Sequence, residues 1–157
     1  MIQPRIYLDT SVIGGCCDDE FSFLSRLLFK EFANGKAIAV VSSLTLQELE
    51  LAPENVRNVL GDLPDGAIEY VELDQQSADL ADEYVAAGVV GPSSLVDAQQ
   101  IAVATLNRAD VVVSWNFRHI VNLNRIRLFA SVNVRHGLST PEIRSPKEVL
   151  SPDEEDV

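Results

Sequence analysis

Three carboxylates stand where an α/β chain collects its chemistry. Asp9 ends the apolar run Arg5-Ile-Tyr-Leu, and Glu48 lies one helical turn into the helical segment that follows the apolar run 37–41. Asp97 opens a helical segment leading into Asp110-Val-Val-Val-Ser114, which Trp115-Asn116-Phe117 follows directly. In open parallel sheets, sites gather beyond the carboxyl ends of the strands. The start of a helix entering a strand faces that same edge. Carboxylates brought there from separate segments repel one another, and a divalent cation relieves the repulsion. An all-oxygen donor set suits Mg²⁺ or Mn²⁺ rather than zinc. Such ions bind phosphate oxygens and activate water for in-line attack on a phosphodiester.

Each carboxylate also has a purely structural alternative. Asp9 sits at a strand-to-helix junction, where an Asx turn or N-cap is common. Asp97 shares a helical face with Ile101 and Ala104, which should point at the sheet. An inward charge is costly unless paired, hydrogen-bonded or bound to a cation. Backbone amides near Ser93-Ser94 are the alternative partner there. Glu48 and Glu50 both fit surface positions, and a helical wheel barely separates them.

Other chemistries find no support. His119 and His136 are the only histidines, too few for a His-rich metal centre. No G-x-S-x-G elbow, Walker A motif or G-x-G-x-x-G occurs, so Ser-His-Asp hydrolysis and nucleotide cofactors drop out. The adjacent Cys16 and Cys17 supply neither a disulfide framework nor four zinc ligands, and a reducing, cytoplasmic setting is expected.

The elements that must position the carboxylates alternate along the chain. Strands are expected at 5–8, 37–41, 68–73 and 110–114. Helices are expected from Thr10-Ser11, through Phe21, Leu24, Leu28 and Phe32 to a stop at Gly35, at 44–51, from Pro53 to Leu60, at 75–87 and at 95–106. Ser42-Ser43 and Ser94 are placed to cap two of them. Residues 126–134 read as strand, followed by a Pro-broken tail. This order predicts a parallel sheet covered on both faces. The expected organisation is one domain over 1–150 and an acidic, disordered tail over 151–157.

The chain has 157 residues, 46% of them hydrophobic, which excludes a disordered protein. No apolar run approaches the roughly 18 residues of a membrane span, and no secretory signal is read at the N-terminus. A net charge of −12 is hostile to nucleic acid overall, but its distribution is uneven. Residues 108–147 carry seven basic and two acidic side chains, so a local basic segment could meet phosphates.

With these residues in view, the chain resembles the PIN-domain ribonuclease toxins of prokaryotic toxin–antitoxin pairs. The resemblance lies in IYLDTSVIGG at 6–15, SSLTLQELE at 42–50, LVDAQQIAVATLNRADVVVSWNFRHIVN at 95–122 and STPEIRSPKEVL at 139–150. It implies a three-layer α/β/α fold with a central, mainly parallel sheet and an acidic, divalent-metal nuclease site. Position by position, it assigns Asp9, Glu48 and Asp97 to metal binding and catalysis. Asn116 stands where many members carry a fourth acid, and Gln100 where many carry His. On this reading Mg²⁺ or Mn²⁺ is the cofactor and RNA the substrate. Ser11 and Asn116 would orient water or phosphate, and Arg118, His119 and Arg125 would meet the RNA backbone. An antitoxin partner and a homodimer are further implications. Trp115 is expected in the core.

Two other functions share the architecture. A PIN fold without catalysis would serve as a binding or regulatory module, which Asn116 and the acidic net charge favour. A signalling receiver domain also places an Asp at a strand end. It requires paired acids at the first strand and a Lys near the last, whereas this chain has Asp9 alone and Lys147 too late.

Overall fold

The structure is a computed structural model describing residues 3–150, so the expected tail at 151–157 lies outside the described residues. Five strands form one sheet: β1 (Arg5–Leu8), β2 (Ile38–Ser42), β3 (Ile68–Val71), β4 (Val111–Val113) and β5 (Glu142–Arg144). Their order is β3-β2-β1-β4-β5, and every pairing is parallel. The chain steps outward from β1 to β3 and then returns to lay β4 against β1. That reversal opens a crevice between the carboxyl ends of β1 and β4.

The two-residue period of a strand divides the core between the faces. Tyr7, Val40 and Val112 point to one face, against α5 (Gln75–Ala86), α6 (Leu95–Leu106) and α7 (Leu123–Arg135). Ile6, Leu8, Ala39, Val41 and Val113 point to the other, against α1 (Thr10–Gly15), α2 (Ser22–Ala33) and α4 (Glu54–Gly61). Burial on both faces is why these strands read as continuous apolar runs. The three-layer α/β/α architecture implied by the resemblance is the one observed. Among the described residues no helix is long and apolar enough to cross a membrane.

Local signals account for most boundaries. Ser42 caps α3 (Ser43–Glu50), its hydroxyl accepting from the Thr45 amide at 3.3 Å, and Asp74 does the same for α5 through Ser77 at 2.9 Å. Gly35 follows α2 with φ +77°, a left-handed conformation that glycine adopts without steric cost.

Three expectations are corrected. Residues 126–134 form part of α7, not a strand. Ile126, Leu128, Val132 and Val134 alternate like a strand, but the buried positions are Phe129, Val132 and Asn133, at helical spacing. Val134 is 73% exposed, and Asn122 caps the helix by accepting from the Arg125 amide at 3.2 Å. The supposed Pro-broken tail supplies the edge strand β5 and the short helix α8 (Pro146–Val149), which carries a Ser145/Glu148 capping box. Ser94 makes no side-chain cap, because Pro92–Ser94 is a 3₁₀ turn leading into α6.

Candidate active site

The carboxyl ends of β1, β2 and β4 and the start of α6 bring the predicted acids together. Asp9 occupies the N-cap position of α1, yet its side chain makes no capping bond. Its Oδ2 instead accepts from the Ser11 hydroxyl at 2.7 Å and the Ser114 hydroxyl at 2.8 Å. Those hydroxyls are fixed in turn by backbone amides, Trp115 donating to Ser11 and Asn116 to Ser114, each at 2.9 Å. The pair therefore staples the end of β1 to the end of β4. Asp9 is 7% exposed, and its Oδ1 has no donor among the described residues while keeping access to solvent.

The choice between Glu48 and Glu50 is settled by neighbours. Glu48 Oε1 accepts from the Thr10 hydroxyl at 2.6 Å and from the Gln100 amide nitrogen at 3.1 Å. Both glutamates are exposed, but Glu50 makes no side-chain hydrogen bond among the described residues. Gln100 is wholly buried, and the Tyr7 hydroxyl donates to its Oε1, which turns its NH₂ toward Glu48. Tyr7 lies 2.7 Å from Ser42 Oγ and is itself buried, which pushes its pKa well up and keeps it a neutral donor. A chain of neutral groups thus runs from Ser42 through Tyr7 and Gln100 to Glu48.

Asp97 is half-buried, and no backbone amide among the described residues satisfies it, so the capping alternative fails. Burial raises its pKa most, the Asp9 carboxylate adds to this, and Glu48 adds a smaller push. His119 and a hydrogen bond from the Asn116 side chain pull the other way. The push of Asp9 and Glu48 on Asp97 is the electrostatic sign of their convergence. None of the three joins an ion pair among the described residues.

The remaining predicted residues divide. Asn116 Oδ1 accepts from the backbone amides of His119 at 2.9 Å and Arg118 at 3.2 Å, closing the turn after β4. Its oxygen is thereby committed, and its NH₂ is the end left for Asp97. Ser11 likewise spends its hydroxyl on Asp9 and Trp115, so it acts through Asp9. His119 adjoins Asp97, and its Nδ1 is buried without a hydrogen-bond partner. Arg118 is exposed on the same loop and forms no ion pair among the described residues. Arg125 is drawn elsewhere: its guanidinium donates to the Val89 carbonyl, tying α7 to the loop after α5. Trp115 packs against the α1/α2 core as expected.

Sequence reasoning passed over Thr10, Ser114 and Tyr7 as site residues and assigned Gln100 no role. The available signal was a hydroxyl residue immediately after each of two strand ends, and a glutamine on the buried stripe of α6 three residues beyond Asp97. The cavity of about 560 Å³ bounded by Cys16, Cys17, Arg26, Phe29, Val59 and Leu63 lies on another face and includes none of the acids.

By donor type, three carboxylates free of ion pairs among the described residues are the kind that a hard divalent cation takes. Among the described residues, however, no three His, Cys, Asp or Glu side chains close around a common point.

Fold and site together define a PIN-like α/β/α domain with an acidic crevice at the β1/β4 reversal. Solved structures share this fold. VapBC2 from Rickettsia felis, bound to a DNA fragment from its promoter, superposes with TM-score 0.59 at 13% identity, covering 90% of this chain and 98% of that one. VapC20 from Mycobacterium tuberculosis, a sarcin-ricin loop cleaving toxin, gives TM-score 0.56 at 13% identity over 73% of this chain and 92% of its own. FitAcB from Neisseria gonorrhoeae gives 0.56 at 14% over 92% and 99%. At these identities the likeness establishes the fold. No protein-family model and no curated protein matches the sequence.

Proposed function

We propose that this chain is a divalent-metal-dependent ribonuclease, the toxin of a toxin–antitoxin pair. One observation carries the reading: Asp9, Glu48 and Asp97 share one sheet edge, where hydroxyls and an amide hold Asp9 and Glu48, His119 adjoins Asp97, and none of the three joins an ion pair among the described residues. A structure built only for stability would pair or disperse such charges. The fold shared with VapC20, itself a loop-cleaving toxin, supports the assignment.

Asp9, Glu48 and Asp97 would hold Mg²⁺ or Mn²⁺, in part through water. Bound there, the ion supplies positive charge to phosphate oxygens and lowers the pKa of water. The rest falls to the chain itself. Ser11 and Ser114 fix the Asp9 carboxylate, and Gln100 and Thr10 fix that of Glu48, so neither needs to reorganise on substrate binding. Asp97 would take up the proton released by the attacking water, with Glu48 the other choice. Asn116 holds the turn that carries Arg118 and His119 to the edge of the crevice, where Arg118 would meet the RNA backbone. A protein antitoxin would cover the crevice by placing an Arg or Lys among the acids. Homodimer formation and a cytoplasmic location belong to the same reading.

One observation favours the competing reading of a silent binding module: the acids do not already enclose a common point. Activity separates the two. Purified protein should cleave structured RNA in Mn²⁺ or Mg²⁺, and EDTA should stop it. Asp9→Ala or Asp97→Ala should each lower the rate by about 10²–10⁴-fold, the usual weight of a positioned acid–base group. Absence of cleavage across a broad RNA panel, together with no measurable Mn²⁺ binding, would establish the module instead.

A further inference from the structure

The turn beyond β4 carries an aromatic feature that the acids do not explain. Trp115 stacks on Phe21 with ring centroids 4.3 Å apart and planes 22° from parallel, and its Nε1 donates to Ser25 Oγ at 2.8 Å. Gly15 makes room for it, since a Cβ there would stand 2.9 Å from Trp115 Nε1 and 2.6 Å from Ser25 Oγ. The indole is therefore locked by face and edge. Phe117 meets it at 6.1 Å and 61°, yet remains 50% exposed. Asn116 pins the loop at both ends, its Oδ1 binding the amides of Arg118 and His119 and its carbonyl those of Ile120 and Val121. Phe117 is thus presented outward on a rigid base, beside the exposed Arg118 and one residue from Asn116.

We propose that Phe117 is a base-stacking platform, taking an unpaired nucleobase next to the phosphate that lies at the acids. This rests on the ribonuclease reading and deepens it, because it assigns to Phe117 a contact with a base of the substrate, beside the phosphate contacts of the acids and Arg118. Every base offers a π-face, so a lone exposed ring recognises unpaired bases without reading their sequence. Arg118 adds the cation that the neighbouring backbone requires. A duplex keeps its bases stacked on one another and cannot offer one to Phe117.

Trp115 is the chain's single tryptophan, so its fluorescence reports on this spot alone. The test titrates an unstructured oligoribonucleotide, an abasic strand of equal length and a duplex into the Asp97→Asn chain, which leaves the RNA intact. The unstructured strand should quench Trp115. Phe117→Ala in the same background should weaken its binding by about 5- to 150-fold. Phe117→Tyr should restore it, and abasic-strand affinity should be the same in all three proteins. Far-ultraviolet circular dichroism and a melting curve matching those of the parent show that the half-exposed substitution leaves the fold intact. The platform is overturned if Phe117→Ala binds the unstructured strand as its parent does, which leaves the ring to a protein partner. Equal loss for the abasic strand also overturns it, since the ring would then only support the loop. Cleavage by the parent chain combined with either result removes the platform and keeps the nuclease. A parent that neither binds nor cleaves RNA removes both.

Discussion

The two edges of the one sheet treat charge in opposite ways. At the amino edge, the Arg5 guanidinium donates to both carboxylate oxygens of Glu69, at 2.9 Å and 2.5 Å. It also donates to the carbonyls of Asn107 and Arg108 at 2.8 Å and 2.9 Å, and the Arg5 amide donates to Asp110 at 2.7 Å. Arg108 has φ +55°, so this clamp holds a turn in a strained left-handed conformation. At the carboxyl edge, Asp9 and Glu48 meet hydroxyls and an amide, Asp97 faces Asn116 and His119, and none of the three forms an ion pair among the described residues. Charges at the first edge are satisfied within the chain, and those at the second are held in place and left for something outside it. Only the second arrangement stores electrostatic free energy that a ligand can release.

Three experiments sharpen or break that contrast. The largest effect is expected at Gln100. Gln100→Leu removes the amide that fixes Glu48 and leaves the Tyr7 hydroxyl with Ser42 as its partner. RNA cleavage should fall by about 10- to 150-fold, the kinetic equivalent of one hydrogen bond to a charged group. If kcat/KM stays at the parent value while thermal stability drops, the carboxyl edge is only architecture and the contrast fails.

At the opposite edge, Arg5→Met should leave cleavage unchanged and lower stability. It orphans Glu69 and two carbonyls, a loss of about 1–3 kcal/mol. A melting curve should shift down by roughly 2–4 °C for each kcal/mol in a chain of this size. Any change in the metal dependence of activity would mean that the two edges communicate.

The smallest effect concerns acid. The Arg5 guanidinium holds the Glu69 pKa below its ordinary value. A depressed carboxylate contributes stability above its unfolded pKa and loses that contribution as pH falls through the folded one. Glu69→Gln should therefore flatten the acid limb of the stability curve below about pH 4.3, the unperturbed glutamate value. Both side chains are partly exposed, so solvent and salt screen the pair and the change should be under about 1 kcal/mol. Parallel acid limbs in urea titrations of the variant and its parent would show that the pair is unimportant.

Much of this was written in residue types and their spacing. Continuous apolar runs marked β1, β2 and β4, because a strand buried on both faces admits no polar alternation. A carboxylate just past such a run marked Asp9, and one at the start of the next helix marked Asp97. Other features needed neighbours distant in the chain. The segment 126–134 has alternation and helical periodicity at once, and the sheet beneath it selected Phe129 and Val132 as its buried face. β5 is three residues long with two charged, and only its pairing with β4 makes it a strand. Glu48 and Glu50 were indistinguishable on a wheel until Thr10 and Gln100 chose between them.

By itself, then, the order of residues determined which segments could be buried and where carboxylates would meet a strand end, since periodicity and composition are local properties. Tertiary structure decided which oxygen each acid leaves open, which amide turns toward it, and which aromatic ring stays outside. Those depend on hydrogen bonds between residues 2 to 105 positions apart. Their geometry is set by the register of parallel strands, which no single segment contains.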